Sequence, residues 1–238
     1  MRKWLSTTLV VVCVGFLCWW IYSAPLFRVH EYTVTGINQL SRNEVVVQLG
    51  NVEGMHFITA YFQPLAEKVQ QHHRIKAAQV SIQFPGILHI SVQERVPIVA
   101  IPFHNSYLIV DEEGYVLDIQ PTLSTLPSLT GLHIPLVSLG ERIPLTPNFL
   151  AGVRVLQQLD SAIIQRLDYV DVDNALRVLL RMDGYETLID VGDGFVTSTA
   201  MSQNMAYIFE ILKYLQDEGR SAGVLYVSER SISYSAPW

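Results

Sequence analysis

The strongest constraint on this chain lies near its start. The stretch LSTTLVVVCVGFLCWWIYSA runs from Leu5 to Ala24 without a charged residue. At about 1.5 Å of rise per residue, a helix of about 20 residues matches a hydrocarbon core of about 30 Å. A cleaved secretory signal has a shorter apolar centre, roughly 7–15 residues, and small residues at its cut. Here the best cut follows Ala24, and bulky Tyr22 stands third before it. Trp19, Trp20 and Tyr22 suit an interfacial aromatic belt. The expectation is an uncleaved single span, residues 5–24, in contact with the lipid bilayer. Arg2 and Lys3 precede it and only Arg28 follows closely. That bias keeps residues 1–4 as a cytoplasmic tail and exports the rest, placing the chain in the inner or cytoplasmic membrane.

The chain carries 16 Lys and Arg against 22 Asp and Glu, net −6. An acidic, interspersed surface does not suit nucleic acid, which asks for a basic face. The two cysteines, Cys13 and Cys18, both lie in the apolar run. The remainder therefore has no disulfide, thiol nucleophile or Cys-bound metal. Over 200 residues can bury a sizeable core without such staples.

After the span, HEYTVTG reads as a strand ending at Gly36. Ser41 with Glu44 three residues on is a capping box, and it opens a short helix that stops at Gly50. A second helix starts near Pro64, with Phe62, Leu65, Ala66 and Val69 on one apolar face. AAQVSIQF and ILHISVQERV alternate around a Pro85-Gly86 turn: Val80, Ile82 and Phe84, then Leu88, Ile90 and Val92, take the apolar sides. The first unit is thus expected to be β-α-α-β-β over residues 25–96. From residue 97 to 238 the pattern is mostly strands. The exceptions are one helix capped by Thr146-Pro147, carrying Phe149, Leu150, Val153, Leu156, Leu159 and Ile163, and a long one from near Thr199 with Met201, Met205, Ile208, Leu212 and Leu215. The fold class expected is α+β: a transmembrane helix, a small α/β unit, and a mostly antiparallel β domain with two helices.

No catalytic constellation emerges. The seven histidines show no His-Glu-x-x-His pattern and no i, i+4 pair. Asp171-Val-Asp173-Asn174 begins like a calcium loop but reads better as a strand with an acidic face. Asp190-Val-Gly-Asp193-Gly lacks the third glycine of a dinucleotide loop. Asp111-Glu112-Glu113 before Gly114 reads as a solvated hairpin tip. There is no nucleophile elbow and no phosphate loop. The expectation is a binding protein with no catalytic residue, metal or cofactor.

One segment invites a partner. In SISYS, Ile232 and Tyr234 face one way and Ser231, Ser233 and Ser235 the other. It is the last strand-like run and carries no Lys to blunt an edge. Either it is an interior strand, or it accepts a partner strand alongside Arg230–Tyr234 by β-augmentation.

FRVHEYTVTGINQLSRNEVV, VSIQFPGILHISVQERVP, YLIVDEEGYVLD and LPSLTG follow the single span in order. In that order and spacing the chain resembles the FtsQ/DivIB family of bacterial cell-division proteins. Phe84-Pro85, Glu94-Arg95-Val96-Pro97 and Asp111 to Gly114 are its most specific parts. The resemblance implies a POTRA domain for the first unit and a β domain after it. It also implies a non-enzymatic scaffold at the division septum that links divisome proteins and regulates septal peptidoglycan synthesis. Implied partners are FtsB/DivIC-like and FtsL-like coiled-coil proteins, held by the last strand and adjoining helix at Glu229, Arg230, Ser231, Ile232, Ser233 and Tyr234. Where the family commonly shows an Asp-Leu-Arg-like triplet, this chain has Tyr226-Val227-Ser228. The alternative is a POTRA-bearing accessory of protein export or outer-membrane assembly that binds client strands.

Overall fold

The computed structural model describes residues 2–24, 27–50, 52–83, 85–123, 125–192, 198–228 and 231–236; of residues 2–10, 18, 21 and 198–206 it describes the backbone only. The chain forms two compact units, Met1–Arg95 and Val96–Trp238.

The first unit opens with helix α1, Arg2–Ser23. Strand β1 (Glu31–Thr35) follows, then helices α2 (Arg42–Leu49), α3 (Phe57–Phe62) and α4 (Leu65–Gln70), then strands β2 (Ile75–Gln83) and β3 (Ile87–Glu94). Strand order is β1-β3-β2, with β1 parallel and β2 antiparallel to β3. Leu88, Ile90 and Val92 of β3 are buried against Val45 and Leu49 of α2 and Leu65 and Val69 of α4. The capping box is present: Ser41 Oγ accepts the Glu44 N–H at 3.2 Å, and Glu44 Oε2 accepts the Ser41 N–H at 2.7 Å.

Three helices stand where two were expected. Residues 57–62 form a helix of their own behind an N-cap at His56, whose Nδ1 accepts the Ile58 N–H. Histidine is not a usual cap residue, so the sequence gives little warning. Gln63 then turns extended before Pro64, as the residue preceding proline must, and α4 starts afresh. Phe62 therefore belongs to α3 and is exposed instead of lining the core. Phe84 lies outside the described residues.

Among the described residues, the second unit forms a nine-stranded sheet in the order β12-β11-β10-β9-β8-β7-β4-β5-β6. Its strands are β4 (Pro97–Phe103), β5 (Ser106–Asp111), β6 (Val116–Gln120), β7 (Ser128–Thr130), β8 (Leu167–Val172), β9 (Val178–Met182), β10 (Leu188–Asp190), β11 (Val224–Val227) and β12 (Ile232–Ser235). Pairings β4-β7, β7-β8 and β10-β11 are parallel and the other five antiparallel. Leu225, Ile189, Leu180, Val170 and Leu129 stand side by side across β11, β10, β9, β8 and β7. Helices α5 (Pro147–Gln158) and α7 (Ser198–Asp217) bury Phe149, Val153, Leu156, Ile208 and Leu212 in the same core.

The helix begun at Thr146 ends earlier than its apolar pattern suggested. Leu159 is extended at φ −88° and ψ 142°, and Ile163 sits on a separate turn, α6 (Ser161–Ile164). Leu150 is exposed. On α7, Ile208, Leu212 and Leu215 are buried, while the Met201 and Met205 side chains lie outside the described residues.

Among the described residues no helix is long and apolar enough to cross a membrane. The run expected to do so falls partly on residues 5–10, 18 and 21, whose side chains lie outside the described residues.

Candidate partner-binding edge

β12 is the end strand of its sheet, and among the described residues it pairs with β11 alone. The hairpin closes where the Ser228 N–H donates to the Ser231 carbonyl at 3.0 Å. Antiparallel pairs alternate between hydrogen-bonded and non-hydrogen-bonded residues. The register runs Val227–Ile232, Tyr226–Ser233, Leu225–Tyr234 and Val224–Ser235. Ser231, Ser233 and Ser235 therefore bond to β11. The N–H and C=O of Ile232 and Tyr234 point to the outer edge, where a further strand could pair with them.

The side chains divide the other way. Ile232 and Tyr234 pack on the core, and the three serines are exposed. The Tyr234 hydroxyl shares its proton between the carbonyls of Ala222 (2.5 Å) and Arg220 (3.1 Å). The Arg220 guanidinium lies over the Tyr234 ring at 5.2 Å. Gly223 makes room for that ring: at φ +146°, an added Cβ would stand 2.6 Å from Tyr234 Cε2 and from the Ser235 carbonyl oxygen. The Ser228 and Ser231 hydroxyls, 2.9 Å apart, tighten the hairpin end. Glu229 and Arg230 lie outside the described residues. Ser231, Ile232, Ser233 and Tyr234 thus share one exposed edge, with the Tyr234 ring spent on the chain's own backbone. Sequence reasoning missed Gly223 and Arg220; they meet Tyr234 from 11 and 14 residues away, and no local pattern reports such a contact. It also missed the exposed Tyr207 and Tyr214 on α7, two turns apart on one face.

The opposite end of the sheet is shielded. The Val116 N–H of β6 donates to the Glu141 carbonyl at 2.9 Å, and the Val116 carbonyl accepts from Gly140 at 2.9 Å. Further along, Asp118 Oδ1 accepts the Ile119 N–H at 2.9 Å.

The acidic groups that suggested chemistry hold turns. Asp111 is buried at 2% exposure instead of solvated, and its Oδ1 accepts the N–H of Glu113 (3.0 Å) and of Tyr115 (2.8 Å). Asp173 Oδ1 accepts the N–H of Ala175 (2.8 Å) and of Arg177 (2.9 Å), and its Oδ2 meets the Arg177 Nε at 2.9 Å. The Arg177 backbone donor leads the effects that hold Asp173 below the usual carboxylate range. Asp171 accepts from the Thr130 hydroxyl at 2.5 Å. Glu94 accepts the N–H of Asn38 (2.6 Å), Gln39 (2.9 Å) and Leu40 (3.0 Å). Burial is the largest single influence on Glu94 and opposes its charge, but these donors together outweigh it and lower its pKa. Among the described residues no group of three or more His, Cys, Asp or Glu could hold a metal ion.

With this geometry set out, comparison gives first a class: residues 27–95 match the POTRA domain, FtsQ-type. A protein of Mycobacteroides abscessus named cell division protein FtsQ is 22% identical over 189 residues, covering 78% of this chain and 58% of that one. The same-named protein of Mycobacterium leprae is 27% identical over 166 residues, 69% of this chain and 46% of that one. That of Anaeromyxobacter sp. is 26% identical over 216 residues, 88% and 70%. The chain thus carries an FtsQ-type POTRA domain over residues 27–95 and is similar to proteins named cell division protein FtsQ. It spans about half the length of the mycobacterial relatives it matches. The solved extracytoplasmic domain of DivIB from Geobacillus stearothermophilus is 16% identical with a TM-score of 0.35, covering 52% of this chain and 97% of that one, a superposition too loose to bear on the fold.

Proposed function

We propose that this chain is a non-enzymatic, membrane-anchored scaffold of cell division that receives a partner strand at β12. The relatives' name, cell division protein FtsQ, supports the division role. The observation that carries the docking reading is the position of β12 at the end of the sheet, with the main-chain groups of Ile232 and Tyr234 turned outward. Affinity would come from main-chain hydrogen bonds and register from the hairpin. The partners are an FtsB/DivIC-like coiled-coil protein together with an FtsL-like one, meeting Glu229, Arg230, Ser231, Ile232, Ser233 and Tyr234. Through them the chain links other divisome proteins at the septum and regulates septal peptidoglycan synthesis.

The anchor is α1. Its 22 residues would reach about 33 Å at 1.5 Å each, enough for the hydrocarbon core. Its described side chains from Val11 to Trp20 are apolar and exposed on every side, as in a helix solvated by lipid. Arg2 and Lys3 stay on the cytoplasmic side, and both units stand outside.

The test is Ile232→Pro. Proline removes an N–H that points away from β11, so the chain's own ladder keeps its bonds. The variant should keep its circular dichroism spectrum and bind the FtsB/DivIC-like protein at least tenfold more weakly. Val47→Ala, which trims an exposed side chain on α2 outside this edge, should bind as wild type. A folded Ile232→Pro chain with unchanged affinity rules out docking at this edge.

A further inference from the structure

Helix α3 carries no charge and turns three large side chains outward: Ile58, Tyr61 and Phe62, the last two 74% and 79% exposed. They lie at i, i+3 and i+4, so they share one face. The Tyr61 and Phe62 rings meet edge to face with centroids 5.5 Å apart. Only Ala60 of this helix is buried. An exposed apolar patch of this kind marks a contact surface.

Its neighbours indicate which one. The N-cap of α3, His56, stacks on Tyr22 at the end of α1, with centroids 4.2 Å apart and ring planes 22° from parallel. Phe57, the first residue of α3, lies 5.6 Å from Phe27. Arg28, exposed, bridges to His56. The start of α3 is therefore fastened to the end of α1, beside the exposed Trp19, Trp20 and Tyr22. Six residues extend about 9 Å along a helix axis. The headgroup layer is about 5–7 Å deep on each side of the hydrocarbon core. Aromatic rings prefer that layer, and a cation such as Arg28 finds phosphate there.

We propose that α3 is a second lipid contact, with Ile58, Tyr61 and Phe62 seated in the headgroup layer of the bilayer that α1 crosses. The proposal rests on the reading of α1 as a membrane span. It makes the first unit a two-point attachment, with α3 resting on the surface where α1 emerges.

The test uses the full chain with Cys13→Ser and Cys18→Ser, reconstituted in phosphatidylcholine vesicles. Single cysteines at residues 62, 58, 47 and 12 carry an environment-sensitive fluorophore. Lipids bearing spin labels near the headgroup or at the acyl-chain centre serve as quenchers. Probes at 58 and 62 should emit blue-shifted and be quenched most by the shallow label. The probe at 47, on exposed α2, should behave as in water, and the probe at 12 should be quenched most by the deep label. Deep quenching at 12 with water-like probes at 58 and 62 overturns the lipid contact and leaves the anchor standing. Water-like behaviour at 12 overturns the anchor, and this inference with it.

Discussion

The two units solve one local problem with opposite chemistry. In the first, β1 ends at Gly36, at φ +81°, where an added Cβ would lie 2.0 Å from the Val92 carbonyl oxygen. In the second, β7 ends at Gly131, at φ +77°, where a Cβ would lie 2.0 Å from the Val172 carbonyl oxygen. Each strand is parallel to the neighbour whose carbonyl it crowds. The chain beyond Gly36 is held by a carboxylate, Glu94, which gathers three backbone N–H groups. The chain around Gly131 is held by an amide. Asn148 Nδ2 approaches the carbonyls of Gly131 (3.3 Å), Val172 (3.3 Å) and Asp173 (3.1 Å). One clasp is charged and titrates; the other is neutral and does not. The same glycine geometry can thus be secured by collecting donors or by collecting acceptors.

The comparison breaks first at the glycines. Gly36→Ala and Gly131→Ala should each cost about 1–3 kcal/mol from the left-handed backbone alone, and more because a carbonyl must move. Hydrogen exchange read by peptide should loosen residues 27–95 for the first and residues 96–238 for the second. Equal loosening of both units by either variant would deny that the clasps are local. Next comes Glu94→Ala, which leaves three N–H groups without their charged acceptor and should cost about 1.5–3 kcal/mol, seen as a lower unfolding midpoint in urea. Asn148→Ala removes neutral hydrogen bonds and should cost about 0.5–1.5 kcal/mol. If it matched Glu94→Ala, charge would not distinguish the clasps.

The smallest effect is the dependence on pH. Glu94 has a folded pKa below its ordinary 4.5. Its contribution is therefore complete above that ordinary value and fades as pH falls through the depressed one. The amide resonances of Asn38, Gln39 and Leu40 should shift together below about pH 4.5, the ordinary carboxylate value. Those of Gly131 should not follow. A shared titration would erase the contrast.

Much of the architecture was legible because its signals are local. The Ser41/Glu44 box and the Thr146 cap lie within three residues of what they satisfy, and β3 announces its buried face by alternation. Helix α3 escaped because its cap is a histidine and its face looks outward. The break at Leu159 escaped because no glycine marks it. Asp111 was misjudged as solvated because acidity suggested exposure, whereas a turn needed an acceptor inside. At the candidate edge, alternation in SISYS revealed which side chains pair with the core. The support beneath Tyr234 comes from Arg220 to Gly223 and could not be read from spacing.

Among the described residues, β12 offers a guest only a short rail. Two residues, Ile232 and Tyr234, face outward in the register, so a guest backbone gains about four hydrogen bonds at roughly 1 kcal/mol each. Even before the cost of association is subtracted, that is no tighter than the millimolar range. A visitor gripped only there would leave almost as soon as it arrived. Durable residence would require a second handhold, and two molecules kept close in one plane meet that need by raising their effective concentration.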